Sequence, residues 1–199
     1  MGLDITTQDI EELRAFRNSL DNDNIRWKEK IKEKLLSNKQ LLYILDNKEL
    51  QEADADPDAY FGESILPYYI ISPTQSSSKN FVCYEVEFRE EARYNSTIKV
   101  ADIIFYCLSE QKSVIDKTTY LAKHDLMAAL IQNQFNWKNF FGCQMHIVSD
   151  RPSVTDNNYA TRTLIFEGEM PNNMVRTIGG KPTIINNGKL EYKYLYNGG

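Results

Sequence analysis

The spacing of apolar residues changes along the chain and separates a helical first part from a β-rich second part. Up to Leu45, apolar side chains recur every three or four positions, which is typical of amphipathic helices. The spacing predicts a helix over 7–20 capped by Thr6 or Thr7, a second over 24–37 and a short third at 41–45. The side chains expected to face the core are Ile10, Leu13, Phe16 and Leu20 in the first helix and Ile25, Trp27, Ile31, Leu35 and Leu36 in the second.

Beyond Tyr60 the apolar period falls toward two, and β-branched and aromatic residues become frequent, which is typical of strands. Strands are predicted over 65–71, 81–89, 98–108, 144–149 and 159–168, with a nine-residue polar loop, 150–158, between the last two. The segment 98–108 is almost continuously apolar, which predicts a central strand covered on both faces. The side chains of 81–89 expected on one face are Val82, Tyr84, Val86 and Phe88.

Between the third and fourth strands, helical spacing returns. A long helix is expected to begin at Asp116 or Thr118. Its predicted buried side chains are Tyr120, Leu121, His124, Leu126, Met127, Leu130, Ile131 and Phe135. Near the C-terminus, Asn186-Asn187-Gly188 separates two β-rich runs, 183–185 and 190–196, and Asn-Gly in this position is the strongest short-range hairpin signal.

This order of elements predicts an α+β fold: a mainly antiparallel sheet packed by helices, with N-terminal helices and a C-terminal β-hairpin arm. The expected division is a helical extension at 1–23, an α+β domain at 24–172 and the arm at 173–199. A length of 199 residues, with 42% hydrophobic and 26% charged residues, fits one such domain with extensions.

The charge of the chain lies entirely in its first part. The formal net charge is -5, and residues 1–60 hold nine Lys/Arg against fourteen Asp/Glu, so 9 − 14 accounts for all of it. A nucleic-acid-wrapping protein needs a basic surface, which this balance does not provide. No run approaches the ~18 apolar residues of a membrane span, and the acidic N-terminus is unlike a secretory signal.

The acidic segment 49–58 is expected to form an exposed loop. Its carboxylates are those of Glu49, Glu52, Asp54, Asp56 and Asp58. Asp54, Asp56 and Asp58 resemble the start of a calcium loop, but Ala59 and Ile65 stand where that template needs glycine and a bidentate glutamate. A plain acidic loop is therefore favoured over a calcium site.

Glu85, Glu87 and Asp102 could form a metal site for a magnesium-dependent nuclease, with Lys99 as the supporting lysine. The solvent-facing side of two strands is the favoured interpretation of these acids. His124 and His146 are expected to be structural, since no nucleophile motif accompanies them.

Two other residue sets are expected to have structural roles. Four aromatic residues could stack bases, but a role in the core or in a subunit contact is favoured for them. They are Trp27, Trp137, Phe140 and Phe141. Cys83, Cys107 and Cys143 are expected as buried thiols of a reducing compartment, with no disulfide framework. No cofactor is predicted.

Several short motifs resemble those of one protein family. They include the tyrosine-rich segment from Tyr60 to Gln75 with Ile65-Leu-Pro-Tyr68 and Pro73-Thr-Gln75, then Phe81–Phe88, Ile98–Leu108 and the helix Tyr120–Asn133. Over 24–172 the chain resembles the tail terminator and head–tail neck (tail completion) proteins of phages and prophages of Gram-positive bacteria.

The resemblance implies a non-catalytic virion protein at the head–tail junction, assembled in the host cytoplasm. Such a protein forms a ring, commonly a hexamer, that caps the tail tube, contacts tube and neck or connector proteins, and lets DNA pass without specific recognition. Another neck or head-completion connector, the nuclease and a binding module with a small partner remain alternatives. The acidic loop would face the lumen or a partner, and Tyr192, Tyr194 and Tyr196 would lie in a subunit-contact arm.

Overall fold

A computed structural model of the protein describes residues 5–18, 23–47, 50, 56–69, 80–90, 98–155, 159–171, 174–176, 182–186 and 189–190. The described residues form four α-helices: α1 (Thr7–Ala15), α2 (Asp23–Leu36), α3 (Lys39–Leu45) and α4 (Lys123–Phe135). Short 3-10 helices follow at Phe16–Asn18, Pro57–Tyr60 and Gln111–Ser113.

Five strands form one sheet in the order β1-β2-β3-β5-β4. They are β1 (Ile65–Leu66), β2 (Asn80–Glu90), β3 (Ile98–Glu110), β4 (His146–Thr155) and β5 (Tyr159–Pro171). The β1–β2 pair is parallel and the other three pairs are antiparallel. The fold is therefore α+β, as predicted, with a mainly antiparallel sheet.

A second, smaller sheet lies near the C-terminus, in the order β6-β7-β8. Its strands are β6 (Met174–Arg176), β7 (Pro182–Asn186) and β8 (Lys189–Leu190). Asn186 pairs with Lys189 across the predicted turn, so the β-hairpin expected there is confirmed.

Helices α2, α3 and α4 pack on one face of the large sheet, which we call the inner face. Its core is rich in aromatic rings: Trp27 of α2 stacks on Phe141 at 4.1 Å between ring centroids, and Phe105 of β3 lies 5.1 Å from Phe135 of α4. Phe166 of β5 meets Phe105 edge-on at 5.8 Å. These rings are all buried, because the alternation along each strand sends every second side chain toward the helices.

The opposite, outer face is covered only in part. A small cluster of Leu66, Phe81, Cys83 and Leu108 is buried there. Farther along β3, Asp102, Ile104 and Tyr106 are only half-buried. Strand β3 is the predicted central strand, third of five, but it is covered on both faces only near one end.

Two predictions about helix burial were wrong. Helix α1 forms with a capping box between Thr6 and Asp9, yet it buries no residue. Ile10, Leu13 and Phe16 are 42%, 63% and 44% exposed. Ile25 of α2 is also exposed, whereas Trp27, Ile31, Leu35 and Leu36 are buried as predicted.

The predicted start of the long helix was also wrong. Helix α4 begins at Lys123, since the Asp116 carboxylate accepts N–H bonds from Thr118 and Thr119 and closes a turn instead of capping a helix. Tyr120 and Leu121 are consequently exposed, at 81% and 55%.

Two strand predictions need correction as well. The strand expected over 65–71 ends at Leu66, and Pro67 follows it. The predicted loop at 150–158 is mostly strand, because β4 continues to Thr155. Strand β4 lies at the edge of the sheet, where the missing N–H of Pro152 needs no partner strand.

Candidate functional site

The acidic loop lies largely outside the described residues, which exclude Glu49, Glu52 and Asp54. Asp56 caps the following 3-10 helix by accepting the Asp58 N–H at 3.0 Å, and both side chains are exposed. Tyr192, Tyr194 and Tyr196 of the predicted contact arm also lie outside the described residues. The lumen and subunit-contact roles of these residues therefore stay predictions.

The three carboxylates of the nuclease alternative share the outer face as expected. Glu87 and Asp102 are cross-strand neighbours in register, with Glu85 two residues along β2. Two of these carboxylates are already paired with cations, however. Lys28 Nζ donates to Glu85 at 2.6 Å, and Arg89 Nε donates to Asp102 at 3.0 Å. Within the described ranges, no group of three or more metal-ligating side chains is positioned to hold a metal ion.

Lys99 does not support this carboxylate group, so that part of the nuclease hypothesis was wrong. Lys99 lies on the inner face, where it pairs with the buried carboxylate of Asp23 and its Nζ lies 4.6 Å from the centre of the Phe88 ring. Asp23 also pairs with Arg26. Residues three apart in a strand point to opposite faces, which separates Lys99 from Asp102.

A charged row crosses the outer face of the sheet. Glu87, Asp102, Glu167 and His146 are successive register neighbours on β2, β3, β5 and β4. Arg89 joins two of the strands, since its NH2 group donates to Glu167 at 2.5 Å in addition to its bond with Asp102. The row forms a mainly acidic surface, in which Arg89 is the cation that bonds to two of the carboxylates.

At the rim of the inner face, a second network ties α4 to the sheet. Arg162 of β5 donates to Asp150 of β4 at 2.6 Å and to Asp125 of α4 at 3.0 Å, and Gln132 also donates to Asp150 at 2.9 Å. The hydrogen bond from Arg162 lowers the pKa of Asp150 below its usual value and raises the pKa of Arg162 itself.

The two histidines have different surroundings. His124 Nε2 lies 3.6 Å from Asp125 Oδ1, closer than expected for neighbouring residues on a helix, and its buried Nδ1 makes no hydrogen bond to a described atom. His146 stacks on Trp137 with ring centroids 5.6 Å apart. Trp27 and Phe141 are buried core residues as favoured, whereas Trp137 is 63% exposed.

The three cysteines are buried as expected. Burial raises the pKa of Cys107 and, to about 11, that of Cys143. A thiol is a nucleophile only when deprotonated, so both are held in their unreactive form at neutral pH.

A shallow depression of about 390 Å³ lies at the C-terminal end of α4. Its lining comprises Lys34, Asn133, Gln134, Lys138, Asn139 and Phe140. The Lys34 ammonium approaches the Phe140 ring at 5.8 Å. The depression is open to solvent, unlike the enclosed pockets that hold small molecules.

The sequence did not reveal one prominent surface feature, the loop that precedes α4. Its exposed apolar side chains are Ile115, Tyr120 and Leu121, at 50%, 81% and 55%. The run Asp116-Lys-Thr-Thr119 was the available signal, because Asp and Thr side chains close turns as readily as they cap helices.

These features define an α+β domain whose large sheet has one helix-covered face and one polar, half-exposed face. The model of the YomW family matches residues 38–167, and the chain belongs to this family. The family derives from Bacillus phages and prophages, so the protein is phage-associated. No curated protein matches the chain. Within the described ranges, no helix is long and apolar enough to cross a membrane.

Proposed function

We propose that this protein is a structural component of the phage particle, a ring that caps the tail tube at the head–tail junction and lets DNA pass through its centre. One observation carries the proposal. The match to a phage-derived family covers 38–167, within the region 24–172 that resembles tail terminators in its motifs.

The described surface supports a role in assembly. A closed ring needs two different contact surfaces on each subunit. Helix α1 provides one such surface, since it buries no side chain against the described part of the chain although the helix is well capped. A helix of nine residues is marginal by itself in water, and packing against a partner would stabilise it.

The polar row on the outer face suits a surface that does not grip DNA. Of its charged side chains, Glu87, Asp102 and Glu167 are acidic and Arg89 is engaged by two of them. Acidic side chains repel phosphates, so a lumen lined by such residues would let DNA slide.

The test is tube assembly with the tail tube protein of the same phage or prophage. We expect the purified protein to limit tube length and to add a ring at one end of each tube in electron micrographs. Deleting 181–199 should weaken the ring and leave the thermal unfolding of the large domain unchanged. The matched control is a substitution of an exposed residue on another surface, Tyr68→Ala.

Other results would reassign the role. Binding to the head connector without any effect on the tube would favour a neck or head-completion protein. Magnesium-dependent DNA cleavage that is lost in Glu87→Ala would overturn the structural role altogether. Tubes that grow unchanged, with no added density in the presence of either partner, would also contradict the proposal.

A further inference from the structure

Two exposed aromatic residues stand at opposite ends of α4. Tyr120 precedes the helix and Trp137 follows it, and at 81% and 63% they are the most exposed aromatic side chains in the described part of the chain. Both have left-handed backbones, with φ of 60° and 57°. This conformation costs about 1–2 kcal/mol for a residue with a Cβ, so glycine would be the less strained choice at either position.

The loop that carries Tyr120 is held rigid from within. The buried Asp116 carboxylate accepts from the Thr119 N–H and hydroxyl, both at 2.7 Å, and the Tyr120 N–H donates to the Asp116 carbonyl at 2.9 Å. At its base, the buried Lys123 ammonium donates to Asp46 at 2.9 Å. We call Ile115, Tyr120 and Leu121 the tyrosine knob.

The second surface surrounds Trp137. The backbone N–H of Trp137 donates to the Met145 carbonyl at 2.7 Å, and the indole ring stacks on His146. Val148, at a bulge in β4, is 49% exposed. We call Trp137, His146 and Val148 the tryptophan patch.

Both surfaces are therefore preorganised and apolar, and each is centred on an aromatic side chain. Preordered aromatic anchors lose little conformational entropy on binding, which is why they dominate protein interfaces. Strain at two exposed aromatic positions has no evident benefit for the isolated chain. A partner that covers both rings would supply that benefit.

We infer that the tyrosine knob of one copy docks onto the tryptophan patch of the next, so that identical subunits join head to tail. This inference rests on the proposed function, and it identifies the contact between neighbouring subunits of that ring. Thirteen helical residues hold the two surfaces about 20 Å apart, so the knob and the patch of one copy cannot contact each other. Two unlike surfaces at opposite ends are what a heterologous contact requires.

The charges beside the two surfaces are complementary. Lys112 and Lys117, both exposed, flank the knob. The tryptophan patch ends the row of Glu87, Asp102 and Glu167, because Glu167 is the cross-strand neighbour of His146. Arg89 bonds to two of these three carboxylates, so the row keeps an excess of negative charge. In a head-to-tail contact, the lysines of one copy would approach the carboxylates of the next, and this attraction favours a second copy as the occupant.

The experiment uses Tyr120→Gly and Trp137→Gly in the full chain, since glycine accepts the left-handed backbone. Sedimentation equilibrium, with and without tube protein, measures association, and thermal unfolding measures folding. Each variant should associate at least about 30-fold more weakly than wild type, with an unchanged or higher melting temperature. The control Tyr68→Ala, which removes an exposed tyrosine elsewhere, should associate like wild type.

Mixing the two variants gives the sharpest result. The Tyr120→Gly chain keeps its patch and the Trp137→Gly chain keeps its knob, so the mixture should form heterodimers and nothing larger. A mixture that stays monomeric, variants that associate like wild type, or a wild type that is monomeric under all conditions would overturn the inference.

The results can distinguish failure of the tube-capping role from failure of the subunit contact. If wild type assembles through these surfaces but leaves tubes uncapped, the contact stands and the capping role falls. If wild type caps tubes and both variants cap them equally well, the role stands and the contact falls.

Discussion

The two faces of the large sheet are built from the same strands but perform different physical tasks. The inner face packs Phe105, Phe166 and their neighbours against α2 and α4, and these rings are completely buried. The outer face carries the row of Glu87, Asp102 and Glu167 with Arg89, and the side chains of this row are half-buried or exposed. The difference indicates that the inner face determines the stability of the domain, whereas the outer face is available for contacts.

Charge follows the same division. On the inner side, Asp23 is 5% exposed and binds both Lys99 and Arg26 at the start of α2. On the outer side, Arg89 is 44% exposed while it bonds to Asp102 and Glu167. Exposed ion pairs contribute little because water screens them, whereas a buried charge that loses its partner is costly.

The largest expected effect distinguishes the faces at adjacent residues of β3. Phe105→Ala should lower the free energy of unfolding by about 3–5 kcal/mol, since it opens a cavity among three aromatic rings. Tyr106→Ala, on the outer face, should cost about 1 kcal/mol, because this ring is only half-buried, against Tyr69 and the side of the outer-face cluster. Chemical denaturation measures both, and equal costs would contradict the division between the faces.

A smaller effect should separate the buried ion group of the inner face from the more exposed row of the outer face. Asp23→Ala leaves Lys99, only 14% exposed, without its carboxylate, and should cost about 3 kcal/mol. The matched change Asp102→Ala removes a partner of the exposed Arg89 and should cost at most about 1 kcal/mol. Urea unfolding of the two variants tests this, and a cost for Asp102→Ala as large as that for Asp23→Ala would show that the outer face also stabilises the fold.

The division between the faces was predictable in β2 and β3, because alternation assigns residues to faces without knowledge of the fold. Val82, Tyr84 and Val86 were placed correctly in this way. Lys99 was misplaced although the same rule applies, since the odd spacing from Lys99 to Asp102 puts the two on opposite faces. The partners of the charges, such as Arg89 for Glu167, depend on strand register and could not be read from the sequence.

Helix burial was less predictable than helix formation. Helices α1 and α2 have similar apolar spacing, but only α2 meets the sheet, and periodicity does not indicate whether a partner is present. The surfaces around Tyr120 and Trp137 were missed for a related reason. Their exposure depends on where α4 begins and ends, and neither residue type signals a left-handed backbone.

The smallest expected effect concerns the boundary between the faces, where Asp150 joins Arg162 and Gln132. The pKa of Asp150 is lowered in the folded protein, so this carboxylate stabilises the fold above its unfolded pKa and loses that contribution as pH falls through its folded pKa. Asp150→Asn should therefore lower the free energy of unfolding at pH 7 by at most about 1 kcal/mol, given the partial exposure of the pair. The melting temperature should fall accordingly. The difference in stability between wild type and variant should disappear as pH falls below about 4, the usual pKa of aspartate.

Calorimetric scans over this pH range measure that difference, with Asp102→Asn as the outer-face control. A gap that stays constant with pH would show that the network at the rim does not depend on the charge of Asp150.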